Sequence, residues 1–413
     1  MTNPLPKNNI SFENTAQAFE YKTTKELNQS RWLFSCMGNR LLTHIGLVLM
    51  PIAIKYKLPF VRYFIKKTIF KQFVGGESLA ETIHVVNKLA EHNVQVILDY
   101  GVEGGVGNTA FDEACTQFIK VIEYASLQPN IPFISIKITG IGSFQLLEKM
   151  DQLMLQQQPD LLITRYSRAL NILEPNEKTD WEKIVQRLTT ICESAYTKKV
   201  AVLIDAEESW IQEPIDALSF LMMQQYNQEK AFVYNTIQLY RHDRLQFLKN
   251  CYHSIKNNSF ILGVKLVRGA YMEKERKRAN ALSYPSPIQK DKTSSDFDYN
   301  LALEFCINHL HSIAIIVASH NDYSNLYATI LLEKSNLSMQ HPHVHFSQLY
   351  GMSDNITFNL AKAGCSVSKY LPFGPIDDVI PYLMRRAQEN SSVAGQTGRE
   401  LSLINQELKR RGI

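Results

Sequence analysis

The chain lacks several features that would place it in a familiar class at once. Its six cysteines are scattered and form no Cys-x-x-Cys pair, which fits a reducing compartment and argues against a cysteine metal site. His341, His343 and His345 alternate as residues of a strand do, so we predict no metal site there either. No apolar run reaches the roughly 18–20 residues of a membrane span. The net charge of +4 is too small to indicate a nucleic-acid partner.

Residues 1–30 are polar and contain acids, so they do not have the pattern of a signal peptide. We expect this segment to be loosely ordered. We expect the protein to be cytoplasmic, with peripheral contact at the inner face of the membrane, if it is bacterial. In a eukaryote we expect a mitochondrial location.

A basic arm follows at residues 31–73, where apolar residues recur at helical spacing with lysines between them. Two interpretations remain open: an amphipathic helix packed on the main domain, or a basic helix that contacts an anionic membrane. We therefore predict a polar segment and helical arm over 1–75, a main domain over 76–393 and a C-terminal tail over 394–413.

The main domain repeats one pattern: a short β-branched run ends in a polar residue, and a helical stretch follows. Eight such runs predict an α/β fold, a (β/α)8 TIM-like barrel with the N-terminal helical arm. The alternative is an open doubly wound sheet, which is less favoured because no Gly-x-Gly-x-x-Gly follows the first strand. The predicted strands are residues 94–99, 133–137, 200–205, 232–238, 261–268, 313–320, 344–349 and 365–370.

Polar side chains end most of these strands, although the strands are otherwise apolar. In such barrels the chemistry lies where the strands end, so the shared position predicts a functional site. The residues concerned are Asp99, Lys137, Asp205, Gln238, Arg268, His320 and Tyr370.

The fifth predicted strand carries two cations, Lys265 and Arg268, and is followed by Gly269 and Ala270. Two buried cations are costly without an anionic partner, so a phosphate-bearing or electron-rich cofactor is the natural ligand. The two small residues would let a flat ligand approach the backbone closely.

Acidic residues follow two other strands. Asp205 ends the third strand, and Glu207 and Glu208 come next; these glutamates are also typical of residues that favour a helix N-terminus. Glu103, on the loop after the first strand, is either a partner for an arginine across the barrel mouth or a solvated acid.

The last predicted helix carries two stripes. Val379, Ile380, Leu383, Met384 and Ala387 form an apolar face, and a second face is polar. The adjacent Arg385 and Arg386 suit bidentate binding of a small carboxylate or phosphate, and the alternative is a solvated charged face. The second face consists of Tyr382, Arg385, Arg386 and Glu389.

Six motifs occur together, at residues 137–139, 204–209, 265–271, 319–321, 349–352 and 370–390. The proline dehydrogenase family has these motifs in the same order, and the chain resembles the stand-alone branch of that family from about Phe73 to Val393.

This resemblance implies FAD held in a barrel without a Rossmann domain. It implies oxidation of L-proline to Δ1-pyrroline-5-carboxylate, with a hydride passing to the flavin and electrons then passing to a membrane quinone. The product would be taken by a pyrroline-5-carboxylate dehydrogenase. The chemistry belongs to the flavin, and the protein positions the substrate.

The family pattern also implies roles for individual residues. It gives Lys137, Arg385 and Arg386 to the proline carboxylate, Asp205 to orientation of the pocket, and Glu103 to a gate that pairs with Arg385. It assigns the pocket around the ring to Ala270, Tyr271, Leu349, Tyr370 and Tyr382. It assigns the flavin to Gln238, Lys265, Val267, Arg268, Gly269, Ala270, Lys292, Ser295, His320, Asn321 and Glu389.

Relatives that oxidise hydroxyproline carry a smaller residue at the position of Tyr370, so its bulk favours proline. Two other functions stay open from the residues alone. One is a barrel aldolase or phosphate-binding isomerase with Lys137 or Lys265 as a Schiff-base lysine. The other is a catalytically silent barrel that acts as a membrane-bound scaffold through its basic arm.

Overall fold

The structure is a computed structural model, and it describes most of the chain. The described residues are 10–39, 43–44, 46–47, 50, 56, 59–101, 105–255, 260–392 and 396–413.

Eight strands form a closed barrel in chain order, so the predicted (β/α)8 fold is confirmed. Each predicted strand is present, with ends shifted by a few residues. The strands are β1 Gln95–Tyr100, β2 Phe133–Ile136, β3 Ala201–Ile204, β4 Val233–Gln238, β5 Leu262–Val267, β6 Ile313–Ala318, β7 Val344–Leu349 and β8 Val367–Phe373.

The strand pairs are parallel, and their registers bring the carboxyl ends of neighbouring strands to the same edge. Ile136 of β2 pairs with Ile204 of β3, and Gln238 of β4 pairs with Val267 of β5. The strand with the largest shift is β8, which ends three residues later than predicted, at Phe373, and pairs with β1 from Ser368 to Phe373. Pro372 has no N–H to give, and its carbonyl accepts a hydrogen bond from the Gly75 N–H at 2.8 Å.

Helices follow the strands as the βα pattern requires, and further helices lie at both chain termini. They are α1 Thr15–Ala18, α2 Thr24–Gly38, α3 Val61–Ile65, α4 Lys71–Phe73, α5 Leu79–Ala90, α6 Asn108–Ser126, α7 Phe144–Leu155, α8 Leu162–Ile172, α9 Pro175–Lys198, α10 Gln212–Tyr226, α11 Arg244–Ile255, α12 Met272–Leu282, α13 Lys292–Asn308, α14 Asp322–Lys334, α15 Asp354–Lys362, α16 Ile376–Ser392 and α17 Gln396–Arg410.

The N-terminal segment from Ile10 onward is ordered, contrary to the expectation of a loose segment. A capping box starts α2: the side chains of Thr23 and Glu26 each accept from the other's backbone N–H. The C-terminal residues that were predicted as a tail contain α17, whose Leu403, Ile404 and Leu408 are buried.

The basic arm packs through part of the apolar stripe predicted from its helical spacing, Val61, Phe64, Ile65, Thr68 and Ile69: Ile65 and Ile69 are buried and Val61 packs partly against the same cluster. A π-helical turn, Lys66–Phe70, lies between α3 and α4 and rotates the later residues relative to the earlier ones. Phe70 and Phe73 are also buried, whereas Phe64 is 59% exposed.

These arm residues belong to one hydrophobic cluster with residues of α2, α16 and α17. The apolar stripe predicted for α16 is part of it, since Val379, Ile380, Leu383 and Ala387 are buried. Pro381 lies inside α16, which begins five residues earlier at Ile376.

The chain divides into two compact units, Met1–Val102 with Phe346–Ile413, and Glu103–His345. We call them the terminal unit and the central unit. The boundaries at 75–76 and 393–394 stay predictions. Within the described residues, the structure contains no helix that is both long and apolar enough to cross a membrane.

Candidate active site

In the central unit, strand ends bring three of the predicted residues together. The Lys265 ammonium donates to Oδ1 of Asp205, and the Lys137 Nζ lies 3.8 Å from Oδ2 of the same carboxylate. The side chains are 5%, 14% and 22% exposed for Lys265, Asp205 and Lys137. Two ammoniums and one carboxylate carry a formal charge of +1, so this cluster suits an anionic group of a ligand.

Glu207 holds the turn that carries Lys137, a role that the sequence interpretation missed. Its carboxylate accepts from the backbone N–H of Thr139 at 3.1 Å and from the Thr139 hydroxyl at 2.5 Å. Burial raises the pKa of Glu207 to about 7, against the lowering effect of the Thr139 hydrogen bonds and the Lys137 charge. The sequence feature that could have indicated this role is the position of Glu207 two residues after Asp205. That position is also typical of a glutamate at a helix N-terminus.

Gln238, at the end of β4, presents an acceptor. Its Nε2 donates to the carbonyl of Glu207 at 2.9 Å, which fixes the amide. Its Oε1 is buried and has no hydrogen-bond partner among the described residues. A buried acceptor without a donor is costly, so the geometry fits a ligand that brings an N–H group.

Arg268 follows β5 and is held from several sides. Its guanidinium donates to Asp296 at 2.6 Å, to the Ser319 hydroxyl at 2.8 Å and to the Ser324 hydroxyl at 2.9 Å. It also lies over the ring of Tyr299, 4.3 Å from the centroid. This side chain is therefore preorganised, as a ligand-binding arginine should be.

The segment after β5 is more open. Gly269 has a φ of +136°, and a Cβ there would lie 2.4 Å from the ring of Tyr240. A glycine is therefore needed here for two reasons besides the approach of a ligand: the positive φ, and the space that the Tyr240 ring occupies. Ala270 is exposed, and Val267 and Tyr271 are half-buried.

The remaining central residues have local roles that the structure shows. Lys292 is exposed and pairs with Asp296 at 2.5 Å. The buried Ser295 donates to the carbonyl of Asp291 at 3.3 Å, and Asn321 caps α14 by accepting from the Ser324 N–H at 3.0 Å. The half-buried His320 lies just past the end of β6. Among the described residues, no group of three or more His, Cys, Asp or Glu is placed to hold a metal ion.

In the terminal unit, α16 carries the arginine pair. Arg386 is only 6% exposed and lies over the Tyr382 ring, 5.2 Å from its centroid, so a solvated face does not describe this residue. Arg385 is half-buried. Tyr382 is buried in the cluster shared with the arm, and Leu349 packs partly against it.

Tyr370 is half-buried on β8, and its carbonyl accepts from the Tyr350 N–H at 2.9 Å. Two predicted residues cannot be placed: Glu103 lies outside the described residues, and so does the side chain of Glu389.

Comparison with known proteins gives consistent matches. The family model described as "Proline dehydrogenase" matches residues 82–399. "Proline dehydrogenase 1, mitochondrial" of Dictyostelium discoideum is 32% identical over 85% of this chain and 66% of its own length. "Carbapenem antibiotics biosynthesis protein CarD" of Pectobacterium carotovorum subsp. carotovorum is 33% identical over 82% of this chain and 83% of that protein.

"Hydroxyproline dehydrogenase" of Xenopus laevis is 31% identical over 84% of this chain and 78% of that protein. Among solved structures, proline utilization A (PutA) from Bdellovibrio bacteriovorus inactivated by N-propargylglycine has a TM-score of 0.69 at 20% identity. That match covers 95% of this chain and 38% of the PutA chain, and it supports the fold.

The family model spans well over half of the chain, and the barrel has the fold of a solved relative. The chain belongs to the proline dehydrogenase family.

Proposed function

We propose that this protein is a proline dehydrogenase that uses FAD to oxidise L-proline to Δ1-pyrroline-5-carboxylate and passes the electrons to a quinone in a membrane. Family membership and the positive cluster at the strand ends support this proposal. The observation that carries it is the Lys137–Asp205–Lys265 cluster, because its excess charge is complementary to the carboxylate of an amino acid.

The residues of the central unit fit FAD. The buried Oε1 of Gln238 has no hydrogen-bond donor among the described residues, and the N–H group of an isoalloxazine ring would supply one. Gln238, Lys265 and Arg268 would hold the cofactor, together with the segment from Val267 to Ala270 and with Lys292, Ser295, His320 and Asn321. The family pattern adds Glu389 of α16, whose side chain lies outside the described residues. When bound, FAD supplies the two-electron oxidation of the carbon next to the ring nitrogen.

The protein's own residues position the substrate. Lys137, Arg385 and Arg386 hold the carboxylate, and Asp205 orients the pocket through its contacts with both lysines. The aromatic residues and Leu349 exclude water and shape the space for the ring, and Glu103 closes the pocket as a gate to Arg385. Holding the substrate in one orientation removes much of the entropic barrier to transfer. A second dehydrogenase would take the unstable imine product.

A first experiment tests the cofactor and the substrate together. The purified protein should show flavin absorbance that L-proline bleaches under anaerobic conditions. A colourless protein that cannot be loaded with FAD would contradict the proposal.

A second experiment tests the arginine pair. Arg385→Met should raise the KM for L-proline by about 100-fold with flavin still bound, since a carboxylate then loses a charged partner. Arg62→Met is the matched control, because Arg62 is exposed on the arm and pairs only with the exposed Asp377 among the contacts described for it. An unchanged KM in Arg385→Met would remove this residue from the carboxylate site.

We further propose that the arm contacts an anionic membrane surface through the face opposite to its packed side. Trp32, Phe60, Tyr63 and Phe64 are 51%, 83%, 66% and 59% exposed. Lysines stand among them, and Lys67 lies over the Tyr63 ring, 5.7 Å from the centroid. Exposed aromatic rings with neighbouring cations are typical of residues that enter the headgroup region.

Flotation with vesicles tests this contact. The double substitution Phe60→Ser with Phe64→Ser should weaken binding to vesicles of phosphatidylglycerol, whereas Phe297→Ser should not. Phe297 is a suitable control because it is 63% exposed and lies in α13 of the central unit. Equal vesicle binding by the wild type, the double variant and Phe297→Ser would contradict the membrane contact and would favour the interpretation that the arm only packs on the main domain.

A further inference from the structure

The turn after β7, residues 349–353, contains one residue in a strained backbone conformation. Gly351 has a φ of +80°, which glycine adopts readily, whereas Ser353 has a φ of +51°, which residues with a side chain rarely adopt. For Ser353 this left-handed conformation is strained, because its Cβ crowds the backbone there. The turn starts at Leu349, which the proposed function assigns to the pocket, and its Tyr350 N–H bonds to the carbonyl of Tyr370. Contacts from elsewhere must therefore hold it.

Lys369, the neighbour of Tyr370 on β8, provides the first contact. Its side chain is fully buried, and its Nζ donates to the carbonyl of Met352 at 2.5 Å. The same ammonium lies 2.9 Å from Oδ1 of Asp354, the first residue of α15. The cation thus joins the strand of Tyr370 to the end of the turn.

The N-terminal segment provides the second set of contacts. Tyr21 donates its hydroxyl proton to Oδ2 of Asp354 at 2.7 Å, and the Lys22 Nζ lies 2.9 Å from the same oxygen. Gln72 on the arm donates to the carbonyl of Gly351 at 2.7 Å and accepts from the Ser30 hydroxyl at 2.9 Å.

The C-terminal helix provides the third contact. Glu400 of α17 is 6% exposed and accepts from the backbone N–H of Ser353 at 2.6 Å. Its carboxylate also makes the buried group of Lys22, Lys369, Asp354 and Glu400 formally neutral. Without it, the N–H of the strained residue would be buried without this acceptor, and the group would carry an excess positive charge.

Five of these residues lie outside residues 82–399, the range that the family model matches: Tyr21, Lys22, Ser30, Gln72 and Glu400. We propose that the two terminal segments act as a clamp on residues 349–353, and that Glu400, Gln72 and Lys369 are positioning residues for the pocket wall formed by Leu349 and Tyr370. Through that wall the clamp sets how well the enzyme distinguishes proline from ring-hydroxylated analogues; this part rests on the proposed function.

Two glutamates on one helix allow a matched test. Glu407 is also buried on α17, but in the described contacts it pairs with Arg410 and Arg411 rather than with the turn. Arg411 in turn donates to the carbonyls of Phe19 and Lys22, so Glu407→Met tests the loss of that terminal contact without loss of the bond to Ser353. Glu400→Met and Glu407→Met should both lower the Tm. Only Glu400→Met should speed amide hydrogen exchange in a peptide that covers residues 349–353.

The kinetic readout is the ratio of kcat/KM for L-proline to that for trans-4-hydroxy-L-proline. We expect Glu400→Met to change this ratio by about tenfold, as small changes in pocket shape do. Glu407→Met should leave the ratio as it is. Gln72→Leu, which removes two neutral hydrogen bonds, to the Gly351 carbonyl and from the Ser30 hydroxyl, should produce a smaller change in the same direction and remains informative if Glu400→Met does not fold.

Each result has a separate meaning. Unchanged exchange at residues 349–353 in both Glu400→Met and Gln72→Leu would overturn the clamp, whether or not the protein oxidises proline. Faster exchange with an unchanged ratio would overturn the link to specificity. A wild-type protein that oxidises neither substrate would contradict the proposed function, while the exchange data would still decide the clamp.

Discussion

Two clusters of the molecule have the same composition, an aspartate between two lysines, but differ in almost everything else. In the central unit Asp205 lies between Lys137 and Lys265, and its side chain is 14% exposed. In the terminal unit Asp354 lies between Lys22 and Lys369, which are 10% and 0% exposed. The first cluster has an excess positive charge near the strand ends, whereas Glu400 neutralises the second.

This contrast separates a cluster suited to binding from one suited to structure. Burial alone would raise the pKa of Asp354, but the ammoniums of Lys22 and Lys369 hold it well below its usual range. A carboxylate that stays ionised at 3% exposure depends on its partners for its charge. The strand-end cluster is open enough for solvent or a substrate to reach Lys137.

Asp354→Asn should have the largest effect on folding. It leaves two ammoniums without their shared carboxylate in a buried site, so we expect the free energy of unfolding to fall by about 3–5 kcal/mol. Urea denaturation measures this loss. A loss of unfolding free energy no larger than that of a surface substitution would show that the Asp354 cluster does not contribute more to stability than the Asp205 cluster.

Asp205→Asn should have the largest effect on activity. We expect kcat/KM for L-proline to fall by about 100-fold, because both lysines lose the group that orients them. The free energy of unfolding should fall by less than in Asp354→Asn, since the amide keeps an acceptor for the buried Lys265 and solvent reaches Lys137. If stability fell as much as in Asp354→Asn, the contrast between the clusters would fail.

Glu207→Gln should alter the pH dependence of stability beside the strand-end cluster. Between the ordinary value of 4.5 and its raised pKa of about 7, Glu207 is protonated in the folded state and ionised in the unfolded state. Folding takes up a proton in this window, so stability falls as pH rises through it. The variant should show a flatter profile of Tm against pH from 4.5 to 7.

Glu208→Gln is the control for that profile, because Glu208 is the next buried glutamate and pairs with Lys274 instead of Thr139. It should keep the wild-type slope. A wild-type profile that is already flat in this window would contradict the protonated state of Glu207.

Arg62→Met should have the smallest effect. Its pair with Asp377 joins the arm to α16, but both side chains are about half exposed. Exposed pairs of this kind contribute about 0–1 kcal/mol, so the Tm should shift by only a few degrees. A loss as large as that of Asp354→Asn would mean that surface pairs hold the arm as firmly as the buried cluster does.

Much of the central unit was predictable from local sequence. Apolar β-branched runs with polar ends placed Lys137, Asp205 and Gln238 at one edge, and parallel pairing of the strands explains why. The roles of Glu207 and Gly269 were less clear. In sequence, a glutamate that begins a helix looks the same as one that supports the turn at Thr139. A glycine that contacts a ligand likewise looks the same as one that makes room for the ring of Tyr240.

The terminal unit was much less predictable. The helical period of the arm predicted the burial of Ile65 and Ile69, but Phe64 is exposed and Phe70 at the end of the π-helical turn is buried. A simple count of 3.6 residues per turn does not include such a turn. Lys369 looked like an ordinary member of a short strand. Its partner Asp354 makes a further bond to Lys22, 332 residues away along the chain.

The order of strands and helices, and the residue types at the strand ends, follow from the sequence because hydrophobic period and turn residues act over a few neighbouring positions. Which charges meet depends on the folded chain. Asp205 follows an apolar strand and Asp354 begins a helix, but neither local sequence indicates its lysine partners. Only the arrangement of distant segments makes one a partly open cluster with excess charge and the other a neutral, buried support. The physical reason is that the free energy of a charge depends on its burial and on all nearby charges, whatever their distance along the chain.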